Sequence, residues 1–233
     1  ITRIKEYSKI PNYIQFKATE RIGINDLEIW LNNFYESSGQ VPGIKLLDTQ
    51  TDHLGFTHYR YQQTINNYPV ELSMLIVHEK NGLINSINGD FYGDVNLPLD
   101  IVISEEVALQ KSLDYVDAKV YKWEDNNEEN LLKVIKNNLL ATYYPEAELV
   151  LINVDGDIRK NLRLAYKFDI YTHEPLERKD VYIDAESGGI IWIHNRLHNV
   201  DVTGTAITGY SGTRIITTDS IGQNEFRLKE TGR

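Results

Sequence analysis

Strict alternation of apolar and more polar side chains is the feature that most constrains how this chain can fold. In residues 162–170 every second position is apolar, at Leu162, Leu164, Tyr166, Phe168 and Ile170. A two-residue period places one face of an extended strand against a core, whereas a helix repeats about every 3.6 residues. Residues 57–63 alternate in the same way. Both halves of the chain are therefore predicted to contain antiparallel sheet.

Short turn signals separate the predicted strands. Asn66-Asn67-Tyr68-Pro69 is typical of a turn, and Asn81-Gly82 is the strongest hairpin signal in the chain. The segments after these turns, residues 70–78 and 83–88, are predicted to pair as strands. Glu186-Ser187-Gly188-Gly189 predicts another tight turn, which leads into a strand at residues 190–194.

Three helices are predicted from capping residues and apolar spacing. The first begins after Asn25 or Asp26 and covers residues 27–34. The second begins after Ser104, and the next two residues, both glutamates, lie near its positive end. The third includes residues 131–140.

Together these elements predict an α+β fold with two small antiparallel-sheet units, each covered by helix. The first unit is predicted at residues 1–95 and the second at residues 96–199. A tail rich in glycine, threonine and serine occupies residues 200–233 and is predicted to form a β-hairpin.

The composition excludes several classes of function. The formal net charge of −10 argues against a nucleic-acid partner, which requires clustered lysine and arginine. No apolar run approaches the roughly 20 residues that span a bilayer, so no membrane partner is expected. The chain has no cysteine, which excludes disulfides, thiolate zinc sites and cysteine nucleophiles.

A search for catalytic or metal-binding patterns finds none that is complete. A zinc helix of the His-Glu-x-x-His type needs two histidines four residues apart on one helical face. His78-Glu79 and His173-Glu174 both lack the second histidine, and His78 is expected at the surface or at a strand end. His194 and His198 have the right spacing, but the residues before them predict a strand. We therefore expect no catalytic residue and no metal ligand in this chain.

An ordered series of residues in the first half resembles the fungalysin/thermolysin propeptide domain. The residues that carry this resemblance are His58, Arg60, Gln62, Gln63, Pro69, Val70, His78, Asn88 and Gly89. The sequence departs from the family pattern at Glu71, where a small residue usually comes after Pro-Val.

The rest of the chain is similar to the regions that lie C-terminal to this motif in the same family of proteins. Residues 100–199 resemble a PepSY-type unit, which implies a cystatin-like sheet with helical cover. The marks of this resemblance include Leu164-Ala165-Tyr166 and residues 180–185. Residues 202–206 and 210–212 resemble the opening hairpin of a mature thermolysin-like catalytic domain.

The resemblance implies a function. Such pro-regions precede a secreted, bacterial-type zinc metalloendopeptidase and act on its catalytic domain in cis, as intramolecular chaperones and temporary inhibitors. The zymogen's catalytic domain would hold zinc and calcium, while this chain would bind no cofactor and would be non-catalytic alone.

The same resemblance predicts a processing site between Asn199 and Val200. The cleft-binding segment would be Arg196, Leu197, His198, Asn199 and Val200, which is polar and has no regular period. Extended, accessible backbone of this kind is a natural protease substrate. Thermolysin-like enzymes favour a bulky apolar residue after the scissile bond, and Val200 is the one closest to the apparent boundary.

Two other functions remain open from the sequence. The chain could be a free-standing protease inhibitor that acts in trans, although residues 200–233 resemble an enzyme more than an inhibitor. It could also be an extracellular ligand-binding module, and affinity for immobilised polysaccharide would identify that class.

Overall fold

The computed structural model describes residues 12–33, 42–92, 99–153, 162–197, 201–222 and 225–228. Within these residues the chain is mostly sheet, with short helices packed on it, and the predicted α+β class is confirmed. A ten-stranded sheet forms the body of the protein, and a separate three-stranded sheet lies in the C-terminal part of the sequence.

The first half of the large sheet is an antiparallel meander with one added edge strand. Its strands are β1 (Tyr13–Gln15), β2 (Pro42–Thr51), β3 (Thr57–Ile65), β4 (Tyr68–Lys80) and β5 (Leu83–Gly89). They lie in the order β2-β3-β4-β5-β1. Both predicted hairpins are present, and each turn has two residues with positive φ, Asn66 and Asn67 in one and Asn81 and Gly82 in the other. Such turns match the twist of the strands that they join.

Helix α1 (Leu27–Asn32) covers one face of this meander. Leu27 and Leu31 are buried, one helical turn apart on the same face. This core is completed by Phe91 and by four strand residues, Leu75, Val77, Ile84 and Ile87. Asp26 precedes α1 as predicted, but its side chain makes no capping hydrogen bond. The predicted end of this helix extends beyond Asn33 and lies outside the described residues.

The second half of the large sheet is also antiparallel. Its strands are β6 (Val120–Tyr121), β7 (Glu148–Asn153), β8 (Leu162–Glu174), β9 (Glu177–Asp184) and β10 (Ile190–Asn195). Helix α2 (Glu105–Val116) packs on one face, and the Ser104 side chain caps it as predicted by accepting a hydrogen bond from the Val107 amide. The alternating residues of β8 face this helix and form the core between them.

Strand β4 joins the two halves of the sheet. In β3, Thr64 pairs with Pro69, but Gln62 pairs with Met74, so β4 contains a bulge between these points. Within the bulge, Val70 pairs in parallel with Leu151 of β7. The meander and the second half therefore form one continuous sheet. The predicted unit boundary near residues 95 and 96 lies outside the described residues and stays a prediction.

Two further elements differ from the sequence prediction. Helix α3 (Asn126–Lys136) ends at Asn137, which has a positive φ, so Leu139 and Leu140 come after the helix and do not belong to it. The tail forms three strands, β11 (Asp201–Thr208), β12 (Gly212–Gly222) and β13 (Glu225–Leu228), one more than the predicted hairpin. None of the described helices is long and apolar enough to cross a membrane.

Candidate functional site

The histidines of the motif form a hydrogen-bonded chain across three neighbouring strands. His58 on β3 and His78 on β4 lie directly opposite each other, with their Nδ1 atoms 2.6 Å apart. His78 Nε2 lies 2.6 Å from the Asn88 side-chain oxygen on β5, and His58 Nε2 lies 3.2 Å from Asp52. One Nδ1 donates and the other accepts, and which ring takes which role depends on the tautomers of the two histidines. His78 is half-buried and lies two residues before the end of β4, which agrees with the strand-end position expected for it.

Asp52 anchors this chain to the loop between β2 and β3. Its carboxylate accepts hydrogen bonds from the amides of Leu54 and Phe56, at 2.8 and 2.9 Å. The bond from Phe56 is the main cause that lowers the pKa of Asp52, and His58 lowers it further. An ionised acceptor strengthens each of these bonds. The network therefore holds the loop and the histidine pair together.

Gln63 is the most deeply buried polar side chain of the motif. Its amide nitrogen donates to the Tyr92 carbonyl at 2.7 Å, and its amide oxygen accepts from the Tyr92 amide at 2.7 Å. Ser73 in the β4 bulge also donates to this oxygen, at 3.3 Å. The Gln63 side chain thus bonds the Tyr92 backbone as a neighbouring strand would, and it fixes the position of the chain after β5.

Gly89 occupies a position that no other residue type fits. Its φ is +134°, and a Cβ atom there would lie 2.0 Å from the Met74 carbonyl oxygen. The neighbouring Asp90 amide donates to that same oxygen at 3.1 Å. The close approach of the two backbones explains why a glycine comes directly after Asn88.

The remaining motif residues lie on β3 or at the bulge in β4. The Gln62 side chain donates to the Val70 carbonyl at 3.3 Å, and Val70 is fully buried where it meets β7. Pro69 pairs with Thr64 at the start of β4. Arg60 bonds Asp48 on β2 at 2.8 Å, on the exposed side. All nine motif residues therefore lie in β3, β4 or β5 and hold these strands to their neighbours.

Glu71 links the motif to the second half of the sheet. Its carboxylate accepts from Lys167 Nζ on β8 at 2.8 Å, and both side chains are largely buried. Burial lowers the pKa of Lys167, but the bond to Glu71 and nearby acidic groups raise it by more. The sequence identified Glu71 only as a departure from the family pattern, and its partner could not be found locally.

Arg196 fixes the point where the chain leaves the large sheet. Its guanidinium lies 2.5 Å from Asp169 on β8, and its amide donates to the Arg178 carbonyl on β9 at 2.8 Å. The Arg178 guanidinium also donates two parallel hydrogen bonds to the Asp169 carboxylate, a bidentate contact with distances of 2.8 and 2.6 Å. Leu197 is exposed. The other predicted cleft-binding residues, His198, Asn199 and Val200, lie outside the described residues.

One cluster of possible metal ligands is present among the described residues. Asp125, Glu128 and His173 place one ligand atom each within 4.8 Å of one another. However, the ammonium of Lys122 lies 2.6 Å from Glu128 and is buried beside it. Because a cation of the protein already neutralises this carboxylate, the cluster has little capacity for a metal ion. The hydrogen bonds of the motif residues, by contrast, hold the strands and their connections together.

Comparison with known proteins identifies a family that carries this motif. Residues 43–91 match the family described as Fungalysin/Thermolysin Propeptide Motif. This range contains all nine motif residues and ends where Gln63 holds the chain after β5.

Three named proteins illustrate the sequence similarity of the chain to known proteins. Bacillolysin from Bacillus amyloliquefaciens is 30% identical over 167 residues, which cover 71% of this chain and 29% of bacillolysin. Bacillolysin from Bacillus subtilis strain 168 is 30% identical over 168 residues, with the same coverage. Extracellular elastase from Staphylococcus epidermidis ATCC 12228 is 28% identical over 180 residues, covering 76% of this chain and 32% of the elastase. The match thus spans about a third or less of each relative's length, and the resemblance to a thermolysin-like protease propeptide is confirmed.

A solved structure, the Bacillus megaterium YpeB C-terminal domain, also matches. It is 14% identical with a TM-score of 0.33, over 80% of this chain and 72% of that domain. This similarity is too low to assign a fold or a function.

Proposed function

Because residues 43–91 carry the propeptide motif of thermolysin-like proteases, we propose that residues 1–199 form the pro-region of a secreted zinc metalloendopeptidase of that type. It assists the folding of the catalytic domain in cis and inhibits that domain until it is cleaved near the bond between Asn199 and Val200. Residues 200–233 are the first strands of the catalytic domain.

The buried Gln63 clamp is the observation that best supports this function. Its hydrogen bonds to Tyr92 and Ser73 use the motif to hold the sheet and the chain after β5 together. This fits a folding template or an inhibitor better than an enzyme.

A preformed sheet suits both roles physically. Many extracellular proteases are kinetically trapped, so a template that lowers the folding barrier increases the yield of active enzyme. A tethered inhibitor also acts at high effective concentration, even when its intrinsic affinity is modest.

The exit at Arg196 supports the proposed inhibitory segment. The arginine is held to the sheet by Asp169, whereas the next residue, Leu197, is exposed. Residues after such an anchor can extend into the cleft of a neighbouring domain and block it. Cleavage there removes the covalent link while the bound segment still occupies the cleft.

Zinc and calcium are assigned to the catalytic domain and not to this chain. The sequence has no His-Glu-x-x-His pattern, and Lys122 already compensates Glu128 in the cluster with His173. Elemental analysis of the dialysed chain should therefore find no stoichiometric zinc. One tightly held zinc per chain would contradict this assignment.

The function is tested by expressing the catalytic domain with and without this pro-region. We expect little active enzyme without it, and recovery when the chain is added during refolding. The folded chain should also inhibit the mature enzyme in trans, with selectivity for close relatives. Normal yield without the pro-region would remove the chaperone role, and unchanged activity with excess chain would remove the inhibitory role. Inhibition without any effect on folding would instead support a trans-acting inhibitor.

A further inference from the structure

The outer face of helix α3 and the turn after it form an apolar surface that no described residue covers. We define the α3 surface as Leu131, Val134, Ile135, Leu139 and Leu140. Their side chains are between 54% and 89% exposed. No residue of α3 is fully buried, whereas α2 buries Ala108 and Leu109 in the core.

The helix is attached to the protein by its charged residues. Glu129 accepts hydrogen bonds from the Tyr143 amide and the Thr142 hydroxyl, at 2.6 and 3.2 Å. Glu128 bonds Lys122 at 2.6 Å. Helices of globular proteins usually bury their apolar side and expose their charged side. Here two glutamates in the first turn of α3 bind the rest of the protein, and the apolar side of the helix faces outward. An exposed apolar side of this kind is typical of an interaction surface.

The α3 surface is continuous with the place where the chain leaves the sheet. Leu140 and Asp169 line the same cavity, which has a volume of about 430 Å³ and also includes Tyr144 and Arg178. Asp169 in turn holds Arg196 at 2.5 Å. One side of the second half of the sheet therefore carries both the apolar surface and the start of the proposed cleft-binding segment.

We infer that the α3 surface is the docking surface for the thermolysin-like catalytic domain of the same precursor. This inference rests on the proposed function. The chain from Arg196 to Val200 can span at most about 14 Å, at about 3.5 Å per residue. A catalytic domain that holds this segment in its cleft must therefore lie beside Arg196, against the side that carries the α3 surface. Docking there buries apolar side chains that water otherwise surrounds.

A matched pair of substitutions tests the docking surface. Ile135 on α3 and Ile29 on α1 are 67% and 69% exposed, so lysine at either position should leave the fold intact. The 233-residue chain and its I135K and I29K variants are titrated into the mature catalytic domain of the precursor. We expect I135K to raise the Kd at least about tenfold, because a charge is then buried at the interface. I29K should stay within about twofold of the parent chain.

The outcomes separate this inference from the proposed function. If the parent chain does not bind the catalytic domain, the proposed function fails. If the parent chain binds and I135K binds equally well, the docking surface is wrong while the function stands. Sedimentation of the free chain tests for a second copy as the occupant, and a dimer that I135K converts to monomer would overturn the inference. Should I135K unfold, the L140K variant in the turn after α3 gives the same test.

Discussion

Lys167 on β8 lies 2.8 Å from Glu71 in the β4 bulge, and this ion pair connects the two halves of the large sheet. The pair lies beside the parallel contact between Val70 and Leu151. Because Glu71 and Lys167 are 96 residues apart in sequence, the contact exists only when both halves have folded and met.

Removal of one partner of this pair should destabilise the chain. We expect Glu71→Ala to lower the free energy of unfolding by about 1–3 kcal/mol, because Lys167 then stays largely buried without its main acceptor. Urea denaturation measures the change. Glu71→Ala combined with Lys167→Met should recover part of the loss. As a control, Lys119→Met removes the exposed bridge to Glu174 and should cost less than about 1 kcal/mol. Equal losses at both pairs would show that burial is unimportant here.

Gln63 is predicted to be essential for the connection after β5. Gln63→Leu fills a similar volume but leaves the Tyr92 amide and carbonyl without this partner. We expect a loss of about 2–4 kcal/mol in the free energy of unfolding. Hydrogen exchange at the Tyr92 amide should accelerate with it. Gln110→Leu on the exposed side of α2 is the control and should change stability by less than about 0.5 kcal/mol. A stable Gln63→Leu variant with unchanged exchange would contradict the clamp.

Gly89 and Gly55 form a matched pair for backbone effects. Both glycines have positive φ, but they differ in the space around them. A Cβ atom at Gly89 would overlap the Met74 carbonyl, whereas a Cβ atom at Gly55 would have open space for 4 Å around it. Gly55→Ala should therefore cost only the conformational strain, about 1–2 kcal/mol. Gly89→Ala should cost at least about 3 kcal/mol, since the two strands must separate. Thermal unfolding of both variants provides the comparison, and similar melting temperatures would refute the close approach as the cause.

Asp184 should make the chain less stable in acid. Burial alone would raise its pKa, but hydrogen bonds from the Ser187 amide and from Arg163 lower it on balance. A pKa that is lower in the folded state stabilises the fold above the unfolded value of about 4. This contribution is lost as pH falls below about 4 and through the folded pKa.

Asp184→Asn tests this contribution. We expect the variant to be less stable than the parent chain by about 1–3 kcal/mol at about pH 7, because a charged acceptor is lost. The difference should shrink in urea titrations at about pH 3, because Asp184 then binds a proton in the unfolded parent chain more readily than in the folded one. A constant difference at both pH values would argue against ionisation of Asp184 as the cause.

The processing site is predicted to lie within about three residues of Val200. N-terminal sequencing of the mature enzyme should find its start between Leu197 and Thr203. Val200→Asp should slow processing at least about tenfold, because a charged side chain does not fit an apolar specificity pocket. Thr203→Asp introduces the same charge three residues later and should process at nearly the parent rate. A start outside this window would show that the boundary is misplaced.

The local structure of this protein was predictable from sequence because short-range chemistry determines it. The turns at Asn66-Asn67 and Asn81-Gly82 need positive φ, which asparagine and glycine tolerate. The alternation in β8 indicated which of its side chains face the core. Ser104 predicted the start of α2 from one side chain. The ordered motif from His58 to Gly89 indicated the resemblance to a propeptide, which the family match at residues 43–91 confirms.

The hydrogen bonds and strand contacts of the motif residues depend on tertiary structure. The sequence indicated that His58, His78 and Asn88 belong to one motif, but only strand register brings them into one hydrogen-bonded chain. The parallel contact of Val70 with Leu151 was equally invisible, because it depends on a bulge and on a strand far along the sequence.

Helix α3 illustrates the same limit. Its apolar spacing predicted a helix correctly, but spacing cannot say whether an apolar side faces a core or solvent. That choice was decided by Lys122 and Tyr143, which bind the acidic residues of α3 and turn its apolar side outward. Sequence by itself therefore determined the strands, the turns and the kind of protein, because these depend on neighbouring residues. Tertiary structure alone decided which surfaces remain open for a partner, because burial is a property of the whole packed chain.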